Sequence, residues 1–264
     1  MGLDVYVGTL TRYVVGDWEL TVEAAGRELG IPVRVERAEP EPEDAIRDPD
    51  LVREAVLDWR ADLEEALGTD LSWSEADEMP YFTDKPDWHG YFGLLFLAAH
   101  DEHPDEPMPA EFPDGEQLRH PLLRRVTGSR KRASSERLFG RKPTELPRCF
   151  ALYAPELWLP TELEAAWSGP LLSVPEIAMS STVVLRAQLR ELANRIGASE
   201  QQLVQWREKG SGGEVIGTRE MEGGQVVEEI ARGSPQDEGH FGLAVFLDLV
   251  ERAVEHRLPM KLDY

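Results

Sequence analysis

Apolar residues change their spacing along this chain, and the changes mark its elements. Leu3-Asp-Val-Tyr-Val-Gly-Thr9 alternates with the period of two expected of a strand. Trp18, Thr21, Val22, Ala25 and Leu29 then recur at helical spacing, between Asp17 as a capping residue and Gly30 as a stop. Pro32-Val-Arg-Val-Glu36 alternates again and predicts a second strand. Strand, helix, strand is the order of a mononucleotide-binding unit. The first turn, however, carries only Gly8 and Gly16 and neither glycine-rich phosphate motif, so phosphate cradling is not expected.

Residues 38–50 form an acidic, proline-rich surface loop. Asp48-Pro49 opens a helix with an aspartate cap and a first-position proline, and Gly68 closes it. Leu51, Val52, Ala55, Val56, Trp59, Leu63 and Leu67 mark one face; Glu54, Asp58, Asp62 and Glu65 mark the opposite, solvated one. A proline-punctuated aromatic loop, Met79 to Asp87, runs into the most apolar helix of the chain, ending at His103-Pro104. Its Gly-Tyr-Phe-Gly-Leu-Leu-Phe-Leu is echoed by Gly239-His-Phe-Gly-Leu-Ala-Val-Phe-Leu247, and these two helices are expected to form the buried centre.

Further on, Arg148 to Ala154 reads as a strand, Pro155 to Pro160 as a rigid connector, and Leu171 to Met179 as an edge strand or strand pair broken by Pro175. Ser180-Ser181 caps a helix that stops at Gly197, and Ser199-Glu-Gln-Gln202 is a capping box for a shorter one. Gly210 to Gly213 predicts a turn, 214–230 a hairpin, Asp237 the start of a last long helix, and Leu258 to Tyr264 an apolar tail able to dock. Together these predict an α+β fold, a small sheet covered by about five helices in one compact domain spanning 1–264.

Charge changes the picture. Residues 1–118 hold 30 acids against 8 bases, 119–148 hold 2 against 10, and the remainder 18 against 10, for a net charge of −22. Such acidity excludes a nucleic-acid surface, which needs concentrated positive charge, and suits a basic protein partner. It also serves solubility alone. The basic loop at about 119–147 is expected to dock as internal counter-charge on the acidic N-terminal portion. No run approaches the roughly 18 apolar residues of a membrane span, and the start lacks a secretory pattern. With one cysteine, Cys149, there is no internal disulfide and no cysteine zinc cage. A cytoplasmic protein is the simplest reading.

The densest candidate chemistry lies in the aromatic stretch. Tyr81, Phe82, Asp84, Lys85, Trp88 and His89 combine rings and charges on a proline-held loop, a pattern suited to a partner or ligand pocket as well as to covering the core. His100 and His103, three apart at a helix end, offer a weaker metal alternative; metal-protease spacing is absent, and histidine at a helix C-terminus also answers the dipole. No catalytic signature appears elsewhere, and no cofactor is expected.

The opening Met-Gly-Leu-Asp-Val-Tyr-Val-Gly, the Pro80-Tyr-Phe-Thr-Asp-Lys-Pro86 loop and the ending Val254-Glu-His-Arg-Leu-Pro-Met-Lys-Leu-Asp-Tyr264 resemble an uncharacterised family of acidic bacterial cytosolic proteins. The resemblance implies a bacterial cytosolic origin and transfers no site. The functional expectation is a non-enzymatic protein-binding protein, immunity-type in its most concrete version, using an acidic surface and the aromatic loop. The alternative is a small-molecule-binding or metal-dependent enzyme centred on residues 81–103.

Overall fold

The computed structural model describes residues 2–31, 48–113, 117–128, 146–153, 155–210 and 233–264, with the backbone of 215–220 and 226–230. The strand expected at 32–36, most of the acidic loop before Asp48, and the basic residues 129–145 lie outside the described residues. The fold is α+β: a mixed six-stranded sheet, a separate hairpin and eight α-helical segments among the described residues. Its contacts divide into two compact units. The first comprises 1–85, 149–190 and 247–264; the second comprises 86–148 and 191–246.

The first unit holds the sheet. Strands β1 (Asp4–Val7), β2 (Phe82–Asp84), β3 (Leu157–Leu159), β4 (Trp167–Leu171), β5 (Val174–Ser181) and β8 (Met260–Asp263) lie in the order β2-β1-β8-β3-β5-β4; β6 and β7 are the hairpin of the second unit. Only β3 and β5 pair in parallel. The opening segment, the Pro80–Pro86 loop and the ending segment contain the three adjacent strands β1, β2 and β8. Alternation assigns Val5, Val7, Trp158, Met260 and Leu262 to one face, all buried. On the other face, β3 to β5 present Leu157, Leu159, Ile177 and Met179 to Val52 and Val56 of α3 (Pro49–Leu67), with Leu71 and Trp73 filling in.

Helix ends follow the cap chemistry. Asp48 accepts from the Asp50 and Leu51 amides, Pro49 takes the first position, and Gly68 stops α3 in the left-handed conformation. Around it, α1 (Leu10–Val15) was not anticipated, and α2 (Thr21–Leu29) starts later than Asp17 predicts. Glu23 reaches back to the Leu20 amide at 2.9 Å, so the chain leaves the loop there. Two strand assignments also differ from expectation. Residues 148–153 are turns with a buried Cys149, and the strand is β3, inside the segment read as a connector; Trp158 is fully buried and donates to the Ala151 carbonyl at 2.6 Å. The aromatic loop likewise contains β2, which pairs with β1. The 171–179 stretch is part of the β4–β5 pair. Pro175 is tolerated because β3 meets β5 only at Met179 to Ser181.

The second unit is mainly helical: α4 (Asp87–Glu102), residues 121–128 as α5, the end of α6 (Thr182–Arg195), α7 (Glu200–Lys209), the hairpin β6 (Val215–Glu220) with β7 (Val226–Ile230), and the first half of α8 (Pro235–Glu255). The capping box of α7 forms as expected, with Ser199 accepting from Gln202 and Gln202 reaching back to the Ser199 amide. The sequence echo packs on itself. Gly93 lies against Gly239, and Gly90 against Gly242, so the helices cross antiparallel with backbone against backbone. Tyr91 stacks on Phe246 with ring centroids 5.7 Å apart beside this crossing.

Candidate functional site

Helix α3 carries the most pronounced charged surface of the first unit. Asp50, Glu54, Asp58, Asp62 and Glu65 are exposed, one turn after another, with Leu51 and Leu57 exposed between them. Of the two arginines on the same helix, Arg53 pairs with Asp50 at the start of the stripe, and both bond to the segment 73–77. The Arg53 side chain donates to the Glu75 carbonyl at 3.1 Å and to Asp77 as well as Asp50, while Arg60 donates to the Trp73 carbonyl at 2.6 Å and lies over its ring. Both thus tie α3 to the segment 73–77. That segment is in turn fixed by Glu75, a buried carboxylate that accepts from the Leu10 and Thr11 amides (3.1 and 2.8 Å) and from Trp73 Nε1.

The aromatic stretch does not act as one unit. Tyr81, Phe82, Asp84 and Lys85 belong to the first unit, Trp88 and His89 to the second. Tyr81 stacks on Tyr6 (6.4 Å) beneath the Arg12 guanidinium and lines an open cleft of about 500 Å3 with Asp17, Trp18, Glu19 and Arg27. Tyr6, Tyr13 and Trp18 pack together at 5.0–5.7 Å. Phe82 faces His256 at 5.3 Å and Arg252 at 4.8 Å, and Asp84 accepts from the Lys85 amide at 2.7 Å. In the second unit Trp88 stacks on Phe92 (5.7 Å) and His89 sits edge-on to Phe112 (4.9 Å). Each ring of this stretch is engaged within the fold.

Sequence reasoning missed a polar patch under α1 and α2. Cross-strand register sets Asp4 beside Asp263 and Tyr6 beside Lys261 on one face of the sheet. Tyr13 donates to Asp263 at 2.7 Å and receives the Lys261 ammonium 4.9 Å over its ring; Lys261 also donates to the Leu262 carbonyl at 2.8 Å. Burial raises the Asp4 carboxyl above its ordinary value, against the pull of Lys85 and Thr21, and raises the Tyr6 phenol too. Burial lowers the Lys261 ammonium, with Asp263 and Glu156 opposing. Opposed shifts of acid and amine in one patch are what acid–base chemistry uses, and what a buried structural network also shows. The only sequence signal was an aspartate at an inward position of an otherwise apolar strand.

His100 and His103 do not converge on a shared ligand. The His100 Nδ1 pairs with the Glu106 carbonyl at 2.9 Å, and His103 is the cap residue of α4. Among the described residues no three His, Cys, Asp or Glu side chains are placed to hold a metal ion, and no helix is long and apolar enough to cross a membrane. Among the described residues of and beside the basic segment, Arg125 pairs with Asp105 (3.0 Å) and Glu106 (3.4 Å), and Arg148 with Asp101 (3.6 Å). No protein-family model, curated protein or solved structure matches this chain.

Proposed function

We propose that this chain is a non-enzymatic binding protein that docks a basic protein through the exposed acidic face of α3, in the manner of an immunity-type inhibitor. The observation that carries the reading is the exposed acidic run Glu54, Asp58 and Asp62, with Arg60 bonded to the segment 73–77 and Arg53 divided between that segment and Asp50. Like charges four residues apart on a helix cost about 0.2–0.5 kcal/mol each, and Glu54–Asp58 and Asp58–Asp62 repeat that cost twice, whereas Asp50 is paired with Arg53. A stripe that weakens its own helix is explained by a partner that repays it. Opposite fields also speed encounter, with a steep salt dependence.

The test is recovery of a stoichiometric partner from native lysate at low salt by the wild type, and its loss with Glu54→Gln/Asp58→Asn/Asp62→Asn. The captured protein is then purified and titrated directly. A basic partner whose affinity falls with salt and with the triple variant is expected. A partner bound equally by both proteins overturns the reading, as does a partner that is itself acidic. Of the stretch 81–103, Tyr81 lines the open cleft beside Arg12, and Leu97 and His100 line a separate one.

A further inference from the structure

That cleft lies wholly in the second unit, among α4, α7 and the first half of α8, and is independent of the α3 face. Its volume is about 370 Å3, at the low end of the roughly 300–1,000 Å3 of small-molecule pockets. Leu97, Met108 and Ile196 supply apolar wall, and His100, Gln202, Gln236, Trp206 and His240 supply the rest. Among the described residues not one Asp, Glu, Lys or Arg lines it, in a chain whose charged content is 30%. An ionic ligand finds no counter-charge here, and an anion meets the field of a chain with net charge −22.

The shape of the lining narrows the class. Trp206 and His240 stack face to face, with centroids 4.1 Å apart and planes 6° from parallel. Burial lowers the pKa of His240, so its ring is neutral at pH 7 and the platform is uncharged. Two rings already in parallel stack offer a flat surface for a third. The polar groups present both donors and acceptors. A carbonyl only accepts, so His100 Nδ1 carries a proton toward Glu106, which leaves Nε2 as the ring's other hydrogen-bonding atom. Gln202 Oε1 is held by the Ser199 amide and hydroxyl, both at 2.9 Å, which leaves its NH2 as donor. Gln236 brings an amide with one of each.

We infer that this cleft binds a small, uncharged, planar heteroaromatic molecule of the nucleobase type, seated against the Trp206–His240 stack and read along its edge by His100, Gln202 and Gln236. The same ring chemistry occurs in free bases and in nucleotides, and the charge-free lining selects the free base.

The experiment titrates the full chain with adenine, hypoxanthine and uracil, and with the 5′-monophosphates carrying the same rings, by calorimetry and ligand-observed NMR. Saturable binding of at least one free base is expected, with its monophosphate weaker by about tenfold or more, equivalent to about 1.4 kcal/mol. Trp206→Leu should reduce the affinity at least as much. Gln236→Ala, at an exposed helix position, tests the edge contact should Trp206→Leu fail to fold. The inference is overturned by no saturable binding of any free base at millimolar concentration, by tighter binding of the monophosphates, or by binding unchanged in Gln236→Ala and in any folded Trp206→Leu protein.

Discussion

The glycine crossing of α4 and α8 gives opposite expectations for glycines of the same motif. A Cβ on Gly242 would collide with the Gly90 oxygen and stand 2.7 Å from its carbonyl carbon; on Gly93 it would meet the Gly239 nitrogen at 2.5 Å and the Pro235 oxygen at 2.8 Å. These neighbours are backbone and cannot rotate away, so the helices must part. Overpacking of this kind costs about 1–3 kcal/mol or more. Alanine returns about 1 kcal/mol through its higher helix propensity. Since the clash involves main chain on both sides, the upper part of the range applies, and Gly242→Ala should lose about 2 kcal/mol net. At roughly 2–4 °C per kcal/mol for a chain of about this size, that is a fall in Tm of about 4–8 °C. Gly90→Ala is the internal control. Its nearest atoms are Phe241 Cδ1 at 3.3 Å, Pro86 Cβ at 3.5 Å and Gly242 Cα at 3.7 Å, close to ordinary contact with side chains able to yield. That variant should stay within about 1 kcal/mol of wild type. Thermal and urea melts followed by far-UV circular dichroism measure both. Equal losses in the two variants, or a Gly242→Ala protein as stable as wild type, would refute the packing argument.

Three further outcomes follow from the first unit. Glu75→Ala leaves the Leu10 and Thr11 amides and Trp73 Nε1 without their acceptor, and should cost about 3 kcal/mol or more in urea denaturation. Asp4 titrates above 3.8 in the folded chain because it is buried; the native state then holds its proton more tightly than the unfolded one. Its stabilising contribution is greatest below pH 3.8 and is lost as pH rises through the folded value, so Asp4→Asn should gain on wild type from pH 4 to 7 in a series of melts. An advantage that shrinks over that range would contradict the assignment. Glu54→Gln/Asp58→Asn/Asp62→Asn, the binding variant, should melt higher than wild type at low salt and lose most of that gain in high salt.

What could be read from the chain divides by range. Asp48-Pro49, Gly68 and the Ser199–Gln202 box act within four residues of themselves, and helix boundaries set by them were readable. β2 and β3 are three residues each and are strands only because β1, β8 and β5 lie beside them. No local period marks so short a run, and prolines at 80, 86, 155 and 160 suggested loop. The two sites differ likewise. The acidic face of α3 was visible as an i, i+4 pattern, but the inward turn of Arg53 and Arg60 required the 73–77 segment. Trp206 and His240 sit on separate helices, and nothing in sequence links them. Asp4 and Lys261 were in plain view, in segments already singled out, yet only the β1–β8 register sets Asp4 beside Asp263 and Lys261 beside Tyr6.

That register has a consequence for how the chain reaches its fold. β8 stands between β1 and β3, so Asp4–Val7 and Leu157–Leu159 share no sheet until Met260–Asp263 slots between them. Before that moment the first unit is two fragments, β2-β1 and β3-β5-β4, each with a raw edge of unpaired amides and carbonyls. Closing the gap joins residue 4 to residue 263, a loop whose entropy is paid before its contacts reward it. The apolar Met260 and Leu262, both buried, act as the key of an arch, holding the two sides together. A ribosome-bound or C-terminally clipped chain therefore exposes two sticky edges at once, which makes the half-built state the form most prone to aggregate.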